Sequence, residues 1–237
     1  MGIDKERKNR ALEIDRRLKK FYPDAKTALH FYSPLELLIA TILSAQCTDE
    51  KVNEVTKALF KKYKTTNDYA NAPLSELEGM IRPTGFFHNK AKSIQKCCQA
   101  LEENFSGGIP KTLEEMVALP GVGRKTANLV LGEVYGIPGI VVDTHVRRLA
   151  GRLDLSDNTD PDKIEMDLTP LLPKERWTPF SHQMVYHGRN ACTARNPDCP
   201  GCVLLDICPW PETANPSSSR HRRDFAVTSP HKSPGKR

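Results

Sequence analysis

"LPGVGRKTANLVL", residues 119–131, decides how the chain is read. Pro120 precedes two glycines, Gly121 and Gly123, and Arg124 and Lys125 follow at once. The stretch then turns apolar at helical spacing. Upstream, Thr112-x-x-Glu115 has the form of a capping box at the start of "TLEEMVAL". Residues 112–135 therefore read as helix, tight turn, helix. Unpaired N–H groups at the second helix's start, with the helix dipole, favour an anion there. Glycine lets the backbone approach a phosphate closely, and such a contact needs no base sequence. An ordinary turn between two helices accounts for the glycines equally well. Lys125 falls in the first turn of the second helix. It is either a solvated lysine that meets phosphate or a nucleophile able to form a Schiff base with an aldehyde-like carbon.

Outward from this motif the chain reads as one helix after another. In "ALEIDRRLKKF" Ala11, Ile14, Leu18 and Phe21 make one apolar stripe. "SPLELLIATILSAQ" opens with Ser33 as cap and Pro34 in the first turn, and is apolar nearly all round, as a buried helix is. Val52, Val55, Leu59 and Tyr63 share a face, as do Ala91, Ile94, Cys98, Leu101 and Phe105. Asp143 or Thr144 starts a helix at "DTHVRRLAGRL", and Asp160 with Pro161 starts another. "GIVVD" is the only strand-like run, too isolated to build a sheet. The fold class is all-α. The glycines and prolines near 136–139 mark a lobe boundary. From about Thr213 the chain is rich in Pro, Ser and basic residues, and a disordered tail over 212–237 is expected.

Composition narrows the class. Hydrophobic residues make up 38% and charged residues 27% of 237, which describes a soluble globular protein with a real core. No apolar run reaches the ~18–20 residues of a membrane span, and "MGIDKERKNR" lacks the apolar centre of a secretory signal. A cytoplasmic protein is expected, nucleoid-associated in a bacterium, or nuclear in a source with a nucleus. The net charge of +6 is unevenly placed, since residues 215–237 hold six Lys/Arg against one Asp. Any polyanion site in the remainder is therefore a local patch.

Seven cysteines without a signal peptide argue against a disulfide framework. Cys192, Cys199, Cys202 and Cys208 follow C-x6-C-x2-C-x5-C. Four thiolates so spaced can hold a zinc ion or a [4Fe–4S] cluster, and spacing alone does not choose. Cys97 and Cys98 read as buried and inert.

Together, "LPGVGRKTANLVL", the following "VVDTHVRRL" and the four cysteines resemble the helix–hairpin–helix DNA repair glycosylases, and in particular the endonuclease III family, from about residue 8 to about 210. The resemblance implies a two-lobed helix–hairpin–helix fold with a C-terminal [4Fe–4S] loop on the four cysteines. One lobe spans 27–137 and carries the motif; the other joins 1–26 to 138–211. It implies a bifunctional DNA glycosylase and AP lyase for oxidised or ring-saturated pyrimidines, acting as a monomer on double-stranded DNA that holds a damaged pyrimidine or an abasic site. Lys125 becomes the nucleophile at the deoxyribose C1′, and Asp143 the essential carboxylate. A carboxylate stabilises the charge that builds on the sugar, although "DTH" before a helix is also a good cap. Gly121, Gly123 and Arg124 become phosphate contacts. An extruded base leaves a gap in the stack, and Gln46 in "ILSAQCTD" with Phe86 in "TGFFHNKA" correspond to the residues that fill it. Phe86 stands where the family commonly has leucine, and Cys47 where it has alanine; Phe87 competes for the wedge role. Asp49 caps the next helix or reaches the pocket. His145 meets phosphate or lies on a helix surface. Arg189 and Arg195 are further candidates for phosphate.

A related adenine-mismatch glycosylase lacks the hairpin lysine, and an 8-oxoguanine glycosylase has no need of the four cysteines. A non-catalytic DNA-binding module leaves Lys125 and Asp143 unexplained. An iron–sulfur electron carrier leaves the hairpin unexplained.

Overall fold

The computed structural model describes residues 4–210, and among them every regular element is helical. The helices are α1 (Lys5–Phe21), α2 (Pro34–Leu43), α3 (Asp49–Lys62), α4 (Thr66–Ala70), α5 (Leu74–Ile81), α6 (Phe87–Phe105), α7 (Leu113–Ala118), α8 (Arg124–Tyr135), α9 (Thr144–Arg152), α10 (Pro161–Leu168) and α11 (Trp177–Asn190). Residues 139–143 form no strand, and Val141 and Val142 are buried as plain packing residues. The basic tail lies outside the described residues.

Local chemistry sets most boundaries. Ser33 caps α2 through Glu36 N–H with Pro34 in the first turn, and Asp160 caps α10 in the same manner. Two boundaries differ from the sequence reading. Thr112 caps α7, but the Glu115 carboxylate accepts from the Thr112 hydroxyl at 2.7 Å rather than from its backbone, so the box is only half formed. Thr48, not Asp49, caps α3. Asp49 is thereby freed for another partner.

Apolar faces gather into two cores. One takes α2 to α8, with Leu37, Leu38, Leu59, Ile94 and Val130 fully buried. The other takes α1 and α9 to α11, with Ile14, Leu149, Ile164 and Phe180 fully buried. Burying one such side chain stabilises by roughly 1.5–3 kcal/mol, so each lobe has its own cohesive centre. Polar joints tie the lobes, the His182–Glu133 pair among them. Asn128 Nδ2 donates to Ile140 O at 3.1 Å, Arg124 forks onto Glu165 at 2.7 and 3.1 Å, and Arg189 Nη2 reaches Asp49 Oδ2 at 2.8 Å. The lobes face each other across a cleft lined by Asp49 and Arg189 among others.

Candidate active site and iron–sulfur loop

Lys125 and Asp143 line this one cleft, approaching it from opposite lobes. Lys125 is exposed in the first turn of α8. Asp143 is the N-cap of α9, and its Oδ1 accepts from the N–H groups of His145 and Val146, both at 2.8 Å. The cap and the catalytic reading of Asp143 are therefore compatible. One oxygen fixes the carboxylate, and Oδ2 takes no hydrogen bond from the described residues. The cleft also receives Ser181, His182, Val185, Tyr186 and Arg189 from α11. His182 is buried, with Nε2 2.5 Å from Glu133 Oε1. On this face the sequence singles out only Arg189. The signal for the rest was there, in polar and apolar residues at i, i+1, i+4, i+5 and i+8 along one side of a helix.

The hairpin has the geometry its glycines suggest, each for its own reason. Gly121 has φ +79°, and a Cβ there would lie 2.7 Å from Ser93 Cβ on α6. It is needed for conformation and for close packing. Gly123 has an ordinary φ of −91°, caps α8 without a side chain, and would give a Cβ open space. The first-turn N–H groups of α8 thus face out unpaired, as anion binding needs.

Arg124 is placed differently from its reading as a phosphate contact. Its guanidinium is spent on Glu165, a carboxylate only 8% exposed, with Asp162 at 3.9 Å. Its backbone N–H, at the start of α8, has no partner among the described residues. His145 is half-buried. Its ring packs on Gly188, and Nδ1 lies 3.2 Å from Arg148 Nη2. Burial first, and the Arg148 and Arg189 charges after it, lower its pKa despite the opposing pull of Asp143. Its ring packs between α9 and α11. Arg195 is exposed in the cysteine loop.

Gln46, Phe86 and Gly121 line a second hollow, beside the hairpin. Gln46 (φ +52°) and Phe86 (φ +49°) are both left-handed and exposed, Phe86 to 63%. Such a conformation costs a non-glycine residue of order 1–3 kcal/mol and persists where the surroundings enforce it. An exposed aromatic at that cost is not a core residue. Phe87, the rival, packs against the first core.

The four cysteines line one apolar pocket, with Leu149, Leu153, His187 and Trp210. All four are half-buried free thiols. Burial pushes the Cys202 thiol up to about 12 and raises Cys199 and Cys208 as well. Four thiolates would be held here only around a cationic centre, which fits a metal-binding loop. Among the described residues, no three His, Cys, Asp or Glu side chains converge tightly enough for a single ion. The thiols line a wall instead. The surrounding groups are built for sulfur. Arg152 Nη1 donates to Cys192 Sγ at 3.2 Å, Leu204 N–H to Cys202 Sγ at 3.4 Å, and His187 Nε2 lies 3.4 Å from Cys202 Sγ. Arg148 and Arg152 also bind the loop's carbonyls at Cys192, Thr193 and Ala194. Helix α9 therefore carries Asp143 at one end and anchors the cysteine loop at the other. Cys97 and Cys98 are fully buried in the first core and raised in pKa by that burial.

A helical hairpin with an unpaired helix start, a lysine and a carboxylate in one cleft, and a thiol-lined loop together define a class. Residues 39–174 match the HhH-GPD superfamily of base excision DNA repair proteins, and residues 192–208 the iron-sulfur binding domain of endonuclease III. Endonuclease III of Synechocystis sp. is 52% identical over 204 residues, covering 86% of this chain and 93% of the relative. A solved non-covalent endonuclease III–DNA complex superposes with a TM-score of 0.83 at 44% identity, covering 87% of this chain and 97% of that one. A trapped endonuclease III–DNA covalent intermediate gives 0.84 at 44% identity, covering 87% and 98%. The chain belongs to the endonuclease III family. As a member it is a base excision repair enzyme that acts on DNA and carries a [4Fe–4S] cluster. No helix among the described residues is long and apolar enough to cross a membrane.

Proposed function

We propose that the chain excises oxidised or ring-saturated pyrimidines as a bifunctional glycosylase and AP lyase, with Lys125 as nucleophile and Asp143 as the essential carboxylate. The observation that carries this is their meeting in one cleft from two lobes, with Asp143 held by its cap bonds. As the glycosidic bond breaks, its electrons leave with the base and positive charge builds on the sugar. The unbonded Oδ2 of Asp143 stabilises that charge. Lys125 Nζ, as the free amine, then bonds to C1′; the C1′–O4′ bond breaks, O4′ takes the proton that the nitrogen gives up and becomes a hydroxyl, and C1′ is held as a protonated imine. The imine acidifies C2′–H. Removal of that proton expels the 3′ phosphate by β-elimination.

The α8 N–H groups around Gly123 anchor a backbone phosphate, and Gln46 and Phe86 fill the gap left by the extruded base. Cys192, Cys199, Cys202 and Cys208 hold the cluster, which supplies a cross-link for the loop that α9 grips. The lobe over 27–137 carries the hairpin and lysine; 1–26 with 138–211 carries carboxylate and cysteines. Separate hydrophobic cores support that division. The enzyme works as a monomer, in the cytoplasm on nucleoid DNA.

Borohydride trapping with duplex DNA bearing thymine glycol tests the lysine. A covalent adduct forms with the wild-type protein and is absent with Lys125→Ala. Base release without any wild-type adduct would remove the lyase chemistry.

A further inference from the structure

Lys90 is a buried cation that the proposed chemistry does not use. It sits in the first turn of α6 and is 5% exposed. Its Nζ donates to two backbone carbonyls, Leu43 O and Thr84 O, each at 2.8 Å. Burial lowers its pKa, so something must repay keeping an ammonium there. The acceptors show what. Leu43 ends α2, three residues before Gln46; Thr84 lies two residues before Phe86. Among the described residues neither carbonyl accepts from any other group. Lys90 therefore satisfies the exposed end of the α2 dipole and, with the same ammonium, the turn ahead of α6. It also lines the hollow between Gln46 and Phe86. Both of those residues are held left-handed, a conformation that relaxes unless neighbouring backbone is fixed.

We infer that Lys90 is a positioning residue for base extrusion, its ammonium tying the Gln46 loop to the Phe86 loop and fixing the distance between the two side chains that enter the stack. The inference rests on the reading that Gln46 and Phe86 fill the gap. Lysine suits the task because its three donors sit on one atom at the end of a long stem, so one group can join two carbonyls from different loops. A lysine that merely stabilised the lobe would support every activity alike. One that sets the wedge spacing matters only where a duplex must be opened.

The experiment compares Lys90→Met with wild type in four readouts. These are single-turnover excision of thymine glycol from duplex DNA, fluorescence of 2-aminopurine placed opposite the lesion, lyase action on a single-stranded abasic oligonucleotide, and melting temperature. Duplex excision is expected to fall between roughly tenfold and a hundredfold, the range a misplacement of about 1 Å produces. The fluorescence change should shrink with it, while single-strand lyase activity stays within about twofold. Lys90→Arg, which keeps two or more donors, should recover part of both duplex signals. Wild-type duplex excision and fluorescence in Lys90→Met overturn the inference, as does an equal loss of single-strand and duplex activity. If the Met variant does not fold, Lys90→Gln is measured instead. It is shorter and uncharged, and duplex signals at the wild-type level in that folded variant overturn the inference too. The double variant Gln46→Ala/Phe86→Ala separates the two layers. If it leaves both duplex signals unchanged, the gap-filling reading fails and the inference with it. If it abolishes them while Lys90→Met does not, the role of Lys90 alone fails.

Discussion

Replacing Asp143 by asparagine and by alanine separates its two duties. The carboxylate makes two cap bonds through Oδ1, at 2.8 Å each, to the start of the nine-residue helix α9. Asparagine is as good a cap and keeps an oxygen there, so Asp143→Asn loses only the charge–dipole part, about 0.3–1 kcal/mol. Alanine loses the cap as well, about 1–2 kcal/mol in all. For a domain of this size each kcal/mol lowers Tm by about 2–4 °C. The Asn variant should therefore melt no more than about 4 °C below wild type, and the Ala variant lower still. Turnover behaves otherwise. Both variants remove the negative charge opposite the developing sugar cation, and each should lose about 10²–10⁴ in rate. Duplex affinity should stay near wild type in Asp143→Asn, because the cap keeps α9 in place. The assay is single-turnover base release at saturating enzyme, alongside thermal melting. If Asp143→Asn excises at the wild-type rate, the carboxylate is only a cap. If both variants lose activity in proportion to their loss of Tm, the effect is structural.

The hairpin glycines should fail in different ways. Gly121→Ala must resolve a Cβ 2.7 Å from Ser93 Cβ and a φ of +79°, so it should destabilise the fold by about 1–3 kcal/mol in thermal or urea melts. Gly123→Ala has open space and a negative φ; its melting should barely move while duplex affinity falls, and an unchanged Kd would remove this N–H cradle from the phosphate contact. Removal of iron by Cys202→Ala should abolish the cluster's visible absorbance and lower Tm. The loop that Arg148 and Arg152 grip would lose its internal cross-link, and an iron-free variant melting as wild type would contradict that account.

What the sequence reveals here is largely what is local. Ser33, Asp160 and Asp143 act on groups two or three residues ahead, so their caps are legible from residue type and position. The four cysteines are legible because they fall within one loop and reach one pocket. Asp49 fails as a cap because the equally good Thr48 precedes it, and nothing nearby in sequence points to Arg189. Arg124 looks like a phosphate ligand until Glu165, forty-one positions on, takes its guanidinium. Nothing near Lys90 in the sequence marks it out. Only packing brings two helix-end carbonyls to it. Long-range polar pairing leaves no periodic trace in a sequence, whereas caps and apolar stripes do.

The ion pairs that join the lobes have a consequence for how damage is chosen. Arg124–Glu165 and Arg189–Asp49 latch the lobes at two separate places. With the lobes held at this spacing, the duplex must bend to meet them. Bending a site of this kind takes on the order of 1–6 kcal/mol and depends on local stiffness. A saturated pyrimidine ring stacks poorly, so its duplex yields at lower energy. Selection then begins in the mechanics of the DNA, before the lysine has touched a sugar.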